Sequence, residues 1–272
     1  MLQAQAGIAA SADSQCDVSI LGWMDANMCA PLGALLQRQI AAGKKITVKQ
    51  VRPEKTERIL CKNGFLERFG RPSIADSHKT TIKYSEFRPE DKEAFQQYIA
   101  SHFRSKSKGL PKMSDLLLRK FRESLFEIYG NAVEHSETQR GIFACGQFYP
   151  GQHRLDFSIA DLGVGIRERI RRDLGLSMNP QQAVDWALKG NTTRTGKRPG
   201  GLGFSLIREF VQLNKGRIIV LSDAGYWEFA GGETSVLSIQ WPFPGTVVTI
   251  EINTADKASY RLRSEVNPNE IF

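Results

Sequence analysis

Two polar residues stand four apart in an otherwise apolar helical stretch, LFEIYGNAVEHS, which runs from residue 125 to residue 136. Positions i and i+4 share one helix face, so Glu127 and Asn131 point into the same space. A carboxylate held there can orient or deprotonate a water or a hydroxyl. A carboxamide oxygen is an uncharged ligand suited to Mg2+, a hard cation that prefers oxygen donors and keeps several of its waters. By itself, Glu127 reads as a helix-surface carboxylate paired with a basic neighbour.

Three glycine-bearing stretches follow this helix. ADLGVGI, at 160–166, sets Asp161 ahead of Gly163 and Gly165 at the end of a strand-like run. TGKRPGGLGFSLI, at 195–207, opens a helical pattern with Gly200, Gly201, Leu202 and Gly203, and Arg194, Lys197 and Arg198 precede them. PGTVVTIEI starts the last strand and holds Thr246. Taken singly, such glycines turn the chain. At a helix start they also leave backbone N–H groups free for phosphate oxygens, assisted by the helix dipole. The phosphate loop GxxxxGK[ST] is absent, and Glu168 stands where GxGxxG requires its third glycine.

The order of these signals is more specific than any one of them. Glu-x-x-x-Asn, Asp-x-Gly-x-Gly, Gly-Leu-Gly and Gly-Thr, spread over about residues 89–253, resemble the GHKL ATPase superfamily. That group includes topoisomerase, chaperone and mismatch-repair ATPase domains, histidine kinases and anti-sigma-factor kinases. The resemblance implies that ATP and Mg2+ are bound, with Asn131 as the Mg2+ ligand and Glu127 as the general base. It implies that Asp161 accepts from the exocyclic amine of adenine, with the Thr246 hydroxyl as a second contact through water. Gly163 and Gly165 would let the backbone pass close to the base. Gly200, Gly201, Leu202 and Gly203 would form the phosphate-facing turn. One of Lys197, Arg194 and Arg198 would reach the phosphates, with Lys197 taken as the candidate, and exposed lid charges are the equal alternative. The chain departs from the usual Gly-x-Gly-Leu-Gly loop in having Pro199 at its first position. His135 reads as a helix-end histidine interacting with the dipole.

WMDANMCAPLGALLQRQIAAGKKITVKQVRPEKTERILCKNGFLERF, from Trp23 to Phe69, is similar to the later half of a STAS domain. The family's phosphorylatable serine is replaced here by the run Asp25-Ala26-Asn27, which excludes phosphorylation at the usual place. About twenty residues precede it, so the STAS-like unit reads as partial and as a docking or regulatory surface.

These motifs need elements to hold them. Strands are expected at 17–21, 46–51 and 80–87, then at 141–149 and 154–160, and finally at 217–222, 235–241 and 246–253. Helices are expected at 31–42, 54–69, 89–103, 114–135 and 204–214, and over NPQQAVDWALKG with Asn179 as cap and Pro180 at its first position. The expected fold is α+β. It comprises a GHKL (Bergerat) ATP-binding sandwich over residues 89–272, with helices on one face of a largely antiparallel sheet. A partial STAS-like α/β domain precedes it at 1–75, joined by a connecting segment at 76–88.

The chain of 272 residues has no apolar run long enough to span a membrane and no signal-peptide pattern at its start, and its four cysteines are scattered. A cytoplasmic location without disulfides or a zinc site is expected. The net charge of +8 gathers at Arg104–Arg122 and Arg167–Arg172, which read as solvated helix faces or as a site for an anionic partner. No nucleic-acid motif accompanies it, so the expected partners are ATP and a protein, and a homodimer is left open. The function expected first is a nucleotide-dependent regulatory switch with slow ATP hydrolysis. A serine/threonine kinase of the anti-sigma type and a non-catalytic nucleotide-binding adaptor are the alternatives.

Overall fold

The computed structural model describes residues 14–138, 141–191 and 202–266. The chain opens with β1 (Gln15–Leu21), α1 (Cys29–Ala41), β2 (Lys45–Arg52) and α2 (Glu54–Lys62). The two strands pair in parallel, as a strand–helix–strand crossover requires. Gly43, at φ +85°, ends α1 in the left-handed conformation that the sequence suggests for it. α2 is shorter than the 54–69 expected. It stops at Lys62, where buried Asn63 turns the chain: its Oδ1 accepts from Phe65 N–H at 2.9 Å and its Nδ2 reaches the sulfurs of Cys29 and Cys145.

β3 (Thr81–Phe87), α3 (Lys92–His102), β4 (Lys112–Met113), α4 (Asp115–Ser136), β5 (Ile142–Tyr149) and β6 (Arg154–Asp161) come next. Then follow α5 (Gly165–Leu174), α6 (Pro180–Leu188), α7 (Leu202–Asn214), β7 (Arg217–Ala230), β8 (Glu233–Asn253) and β9 (Ser259–Tyr260). Five strands form one antiparallel sheet in the order β3-β5-β6-β8-β7, so the fold is a mixed α+β one. β3 is one of the two edge strands of this sheet and lies within the stretch read from sequence as a connecting segment.

Both faces of the sheet are covered, where the sequence suggests helices on one face alone. On β5, Ile142 and Ala144 enter the core shared with the helices α3, α4 and α7. The alternating Phe143 and Cys145 enter a second core with Leu32, Leu35 and Leu36 of α1 and Leu60 of α2. Successive strand residues point to opposite faces, so a strand buried on both sides reads as a nearly unbroken apolar run, as GIFACGQFY does. Polar contacts join the same two layers. Asp25 pairs with Arg154 at 2.7 Å, the Ala26 N–H donates to the Tyr149 hydroxyl at 2.7 Å, and Asn27 Nδ2 donates to Ser158 Oγ at 2.9 Å. The Asp25-Ala26-Asn27 run, read as part of a docking surface, is therefore spent on the chain's own sheet, with Ala26 and Asn27 buried.

α4 is the spine of the helical layer. Ser114 Oγ caps it by accepting from Leu117 N–H at 3.1 Å. Leu117, Phe121, Leu125, Ile128 and Ala132 recur at intervals of three or four and face the core. The last strands differ from expectation: three short ones become a two-stranded hairpin turning at Gly231–Gly232. The stretch 223–230 pairs with 233–243 after register shifts on either side of Asp223, which take up residues 239–242 and 244–245 around the Asp223–Phe243 pair. The helix α5 was not legible as a helix beside its glycines. Its signal is Ile166 and Ile170 four apart, with Arg169–Asp173 and Glu168–Arg172 ion pairs at the same interval.

Candidate functional site

The C-terminal half of α4 and the end of β6 meet at one cavity of about 380 Å3. Asn131 and Ser136 of α4, Asp161 of β6 and Thr246 of β8 line it, with Gly165 at the start of α5. Ile159, Ile166, Ile170, Val220 and Val248 give it apolar walls, and Phe204 and Arg208 of α7 close one side.

Asp161 and Thr246 are register partners on adjacent strands, which explains why residues so far apart in sequence share this floor. The Asp161 side chain is buried, with a residue exposure of 4%. Burial pushes its carboxyl up to about 7, while hydrogen bonds from the Gly163 N–H, the Thr246 N–H and Ser136 pull the other way. The Gly163 N–H donates to Asp161 Oδ1 at 2.8 Å. Ser136 Oγ also donates to the Ala132 carbonyl and accepts from the Thr138 N–H, which ties it to the end of α4.

The loop after Asp161 is pinned at both ends. The Val164 N–H donates to the Ser136 carbonyl at 2.7 Å, and the Ile166 N–H donates to Ser222 Oγ at 3.0 Å. Ser222 Oγ donates to the Gly245 carbonyl at 2.9 Å and lies 3.2 Å from Thr246 Oγ1. With that proton committed, Thr246 is the donor in the pair and keeps its lone pairs for the cavity. The two loop glycines have different reasons to be glycine. A Cβ on Gly163 would stand 1.9 Å from the Ser136 carbonyl oxygen, so the close approach of the loop to α4 requires glycine here. Gly165 has φ +76°, which disfavours any side chain, and it does line the cavity.

Of the residues singled out in the sequence, the structure brings Asn131, Asp161, Gly165 and Thr246 to one wall. Glu127, half-buried one turn before Asn131, is not part of that wall. Leu202 and Gly203 are the first residues of α7. Lys197, Gly200 and Gly201 lie outside the described residues. Sequence reasoning missed Ser136 and Ser222, because a lone serine carries no local pattern, and it missed Phe204 and Arg208, which read as routine residues of an amphipathic helix. Among the described residues, no group of three or more His, Cys, Asp and Glu side chains is arranged to hold a metal ion. No described helix is long and apolar enough to cross a membrane. Comparison with models of protein families, and separately with curated proteins, returned no match for this chain.

Proposed function

We propose that this cavity binds Mg-ATP in the manner of the GHKL ATPases, and that the chain is a nucleotide-dependent switch acting on a protein partner. The observation that carries the reading is the convergence of Asn131, Asp161, Gly165 and Thr246, four residues from three separate motifs, on one cavity. Its volume of about 380 Å3 falls within the 300–1,000 Å3 usual for small-molecule sites. Its chemistry fits a purine nucleotide. The apolar walls suit a flat heterocycle, and a buried carboxylate at the floor suits an exocyclic amine. The Asn131 carboxamide suits a hydrated divalent cation shared with phosphate oxygens. When bound, Mg2+ would offset the charge of the phosphates. Asp161 would accept from the base, Thr246 would hold a bridging water, and Ser136 and Ser222 would keep the loop 162–166 in place. Residues 14–69 fit the STAS-like reading in their strand–helix–strand–helix order and in their parallel pairing.

Glu127 is assigned the role of base that orients water or a protein hydroxyl against the γ-phosphate. It lies one turn from Asn131, outside the cavity wall. Purified protein is to be titrated with Mg-ATP by calorimetry and then incubated with γ-labelled ATP, alone and with neighbouring gene products. Free labelled phosphate identifies an ATPase switch, label on a partner serine identifies a kinase, and binding with neither product leaves an adaptor. Glu127→Gln should keep ATP affinity and stop turnover; undiminished turnover removes Glu127 from the base's role. No calorimetric signal with ATP or ADP rejects the nucleotide reading altogether.

A further inference from the structure

The second basic run picked out in the sequence, Arg167–Arg172, is neutralised within the fold. Arg167 pairs with Asp223, Arg169 with Glu137 and Asp173, and Arg171 and Arg172 with Glu168. The positive charge at Arg104–Lys108 is treated differently. Arg104, Lys106 and Lys108 are exposed, as are Lys79 and Lys83 on the neighbouring turn and strand. Among the described residues, none of these five has an acidic partner.

The fold brings these five cations together. Lys108 Nζ donates to the His78 carbonyl at 2.8 Å and so ties the loop after α3 to the turn before β3. Lys83 and Arg104 both act on His102, whose ring stands edge-on to Tyr98 with centroids 4.8 Å apart. Burial first, and these two cations after it, push His102 down to about 4, so the imidazole is neutral and adds no charge. The one acid in the turn, Asp76, is occupied: its Oδ2 accepts from the Thr80 N–H, the Thr81 N–H and the Thr81 hydroxyl. The patch is remote from the cavity. Thr81 pairs with Gln147 near one end of β5, whereas Ile142 pairs with Asp161 at the other. Those five steps along a strand come to about 17 Å.

We propose that this patch is the docking surface for an acidic face of a partner protein. Charge is what it offers. No exposed large apolar side chain lies between residues 78 and 108, so nothing there would stack a nucleic-acid base or enter a bilayer. The helix that reaches it, α3, does so with its C-terminal carbonyls rather than with amides that could hold phosphate oxygens. Five long cations without acidic partners, on a loop, a turn and the adjoining strand, suit carboxylates at variable positions, and they steer association from a distance. This proposal is independent of the nucleotide reading.

The test uses the full chain and a fluorescein-labelled glutamate 20-mer, followed by anisotropy at low and high salt. The wild type should bind at low salt and release as the salt rises, because exposed pairs are screened within a Debye length of about 10 Å at 0.1 M. The variant K79E/K83E/R104E/K106E should lose about tenfold or more in affinity. K45E/K55E/R58E/K92E changes net charge equally with exposed residues elsewhere, and it should lose far less. Peptide bound to the wild type should also protect Lys79, Lys83, Lys106 and Lys108 from acetylation, a readout that needs no variant. Equal losses in the two variants, or no protection of these lysines, would overturn the proposal. So would tighter patch-dependent binding to duplex DNA or to phosphatidylserine vesicles, which would move the site to phosphate ligands.

Discussion

Asp161 is held between two demands. The nucleobase amine proposed as its partner would need it ionised, yet its buried position favours the neutral acid and pushes it up to about 7. ATP affinity is therefore expected to weaken as the pH falls below about 7, with proton release on binding. Calorimetry in buffers of different ionisation enthalpy measures both. Asp161→Asn should weaken ATP binding about tenfold to a hundredfold, the worth of a hydrogen bond to a charged group. Unchanged affinity would remove Asp161 from base recognition. Asp156 is a second acid of this kind: burial outweighs its ion pair with Arg154 at 2.9 Å and pushes it up to about 7. An acid whose folded value is raised stabilises the fold below its unfolded value of 3.8, and this contribution is lost as the pH rises through about 7. Asp156→Asn should thus flatten the change in melting temperature between pH 5 and pH 8; an identical pH profile for the variant would refute this. At this scale Asp161, Asn131 and Thr246 were legible because each belongs to an ordered motif. Ser136 and Ser222 were not, since their roles exist only through neighbours brought in by other elements.

Among the elements, the loop 162–166 is fixed by contacts to α4 on one side and to β7 and β8 on the other. Gly163→Ala would force a Cβ into the Ser136 carbonyl, so the cost should be that of overpacking, about 1–3 kcal/mol. Chemical denaturation measures it. Weakened nucleotide binding should accompany the loss, because the Gly163 N–H that touches Asp161 moves with the backbone. A variant as stable as the wild type would show that the loop can shift away from α4 without strain. Local chemistry made several elements readable. Asn179 and Gln182 form the reciprocal cap of α6, and Pro180 occupies its first turn. The helix α5 and the far half of β7, residues 223–230, were unreadable for a related reason, whereas the strand expected at 235–241 lies within β8. Glycines, prolines and a dense run of charges suggest turns and solvated faces, and only pairing shows that the chain continues in regular structure.

For the molecule as a whole, residues 14–69 and the large sheet share one core. Phe143, Cys145, Ala160, Phe243 and Val247 of the sheet hairpins are buried beneath α1 and α2. A chain cut to residues 76–272 would expose them together, and contiguous apolar patches of this kind favour association. Such a chain is expected to aggregate, or to bind 1-anilinonaphthalene-8-sulfonate and melt without a cooperative transition. Full-length protein should melt in one step by near-UV and far-UV circular dichroism alike. A soluble, cooperatively folding fragment with full ATP affinity would show that the N-terminal unit is a separable domain.

The sequence by itself determined the periodicities, the caps and the order of the polar motifs, because these depend on residues within a few turns of one another. It also determined that the chain is an α+β one built on an antiparallel sheet. Only the tertiary structure decided which motif residues meet. It set Glu127 beside the cavity wall and not in it, gave Gly163 to packing, and seated the N-terminal unit on the sheet's second face. It also separated the charges that are cancelled from those that are left free. The physical reason is common to all four. Strand register and layer packing join residues a hundred positions apart, and no local pattern records which partner a side chain will find.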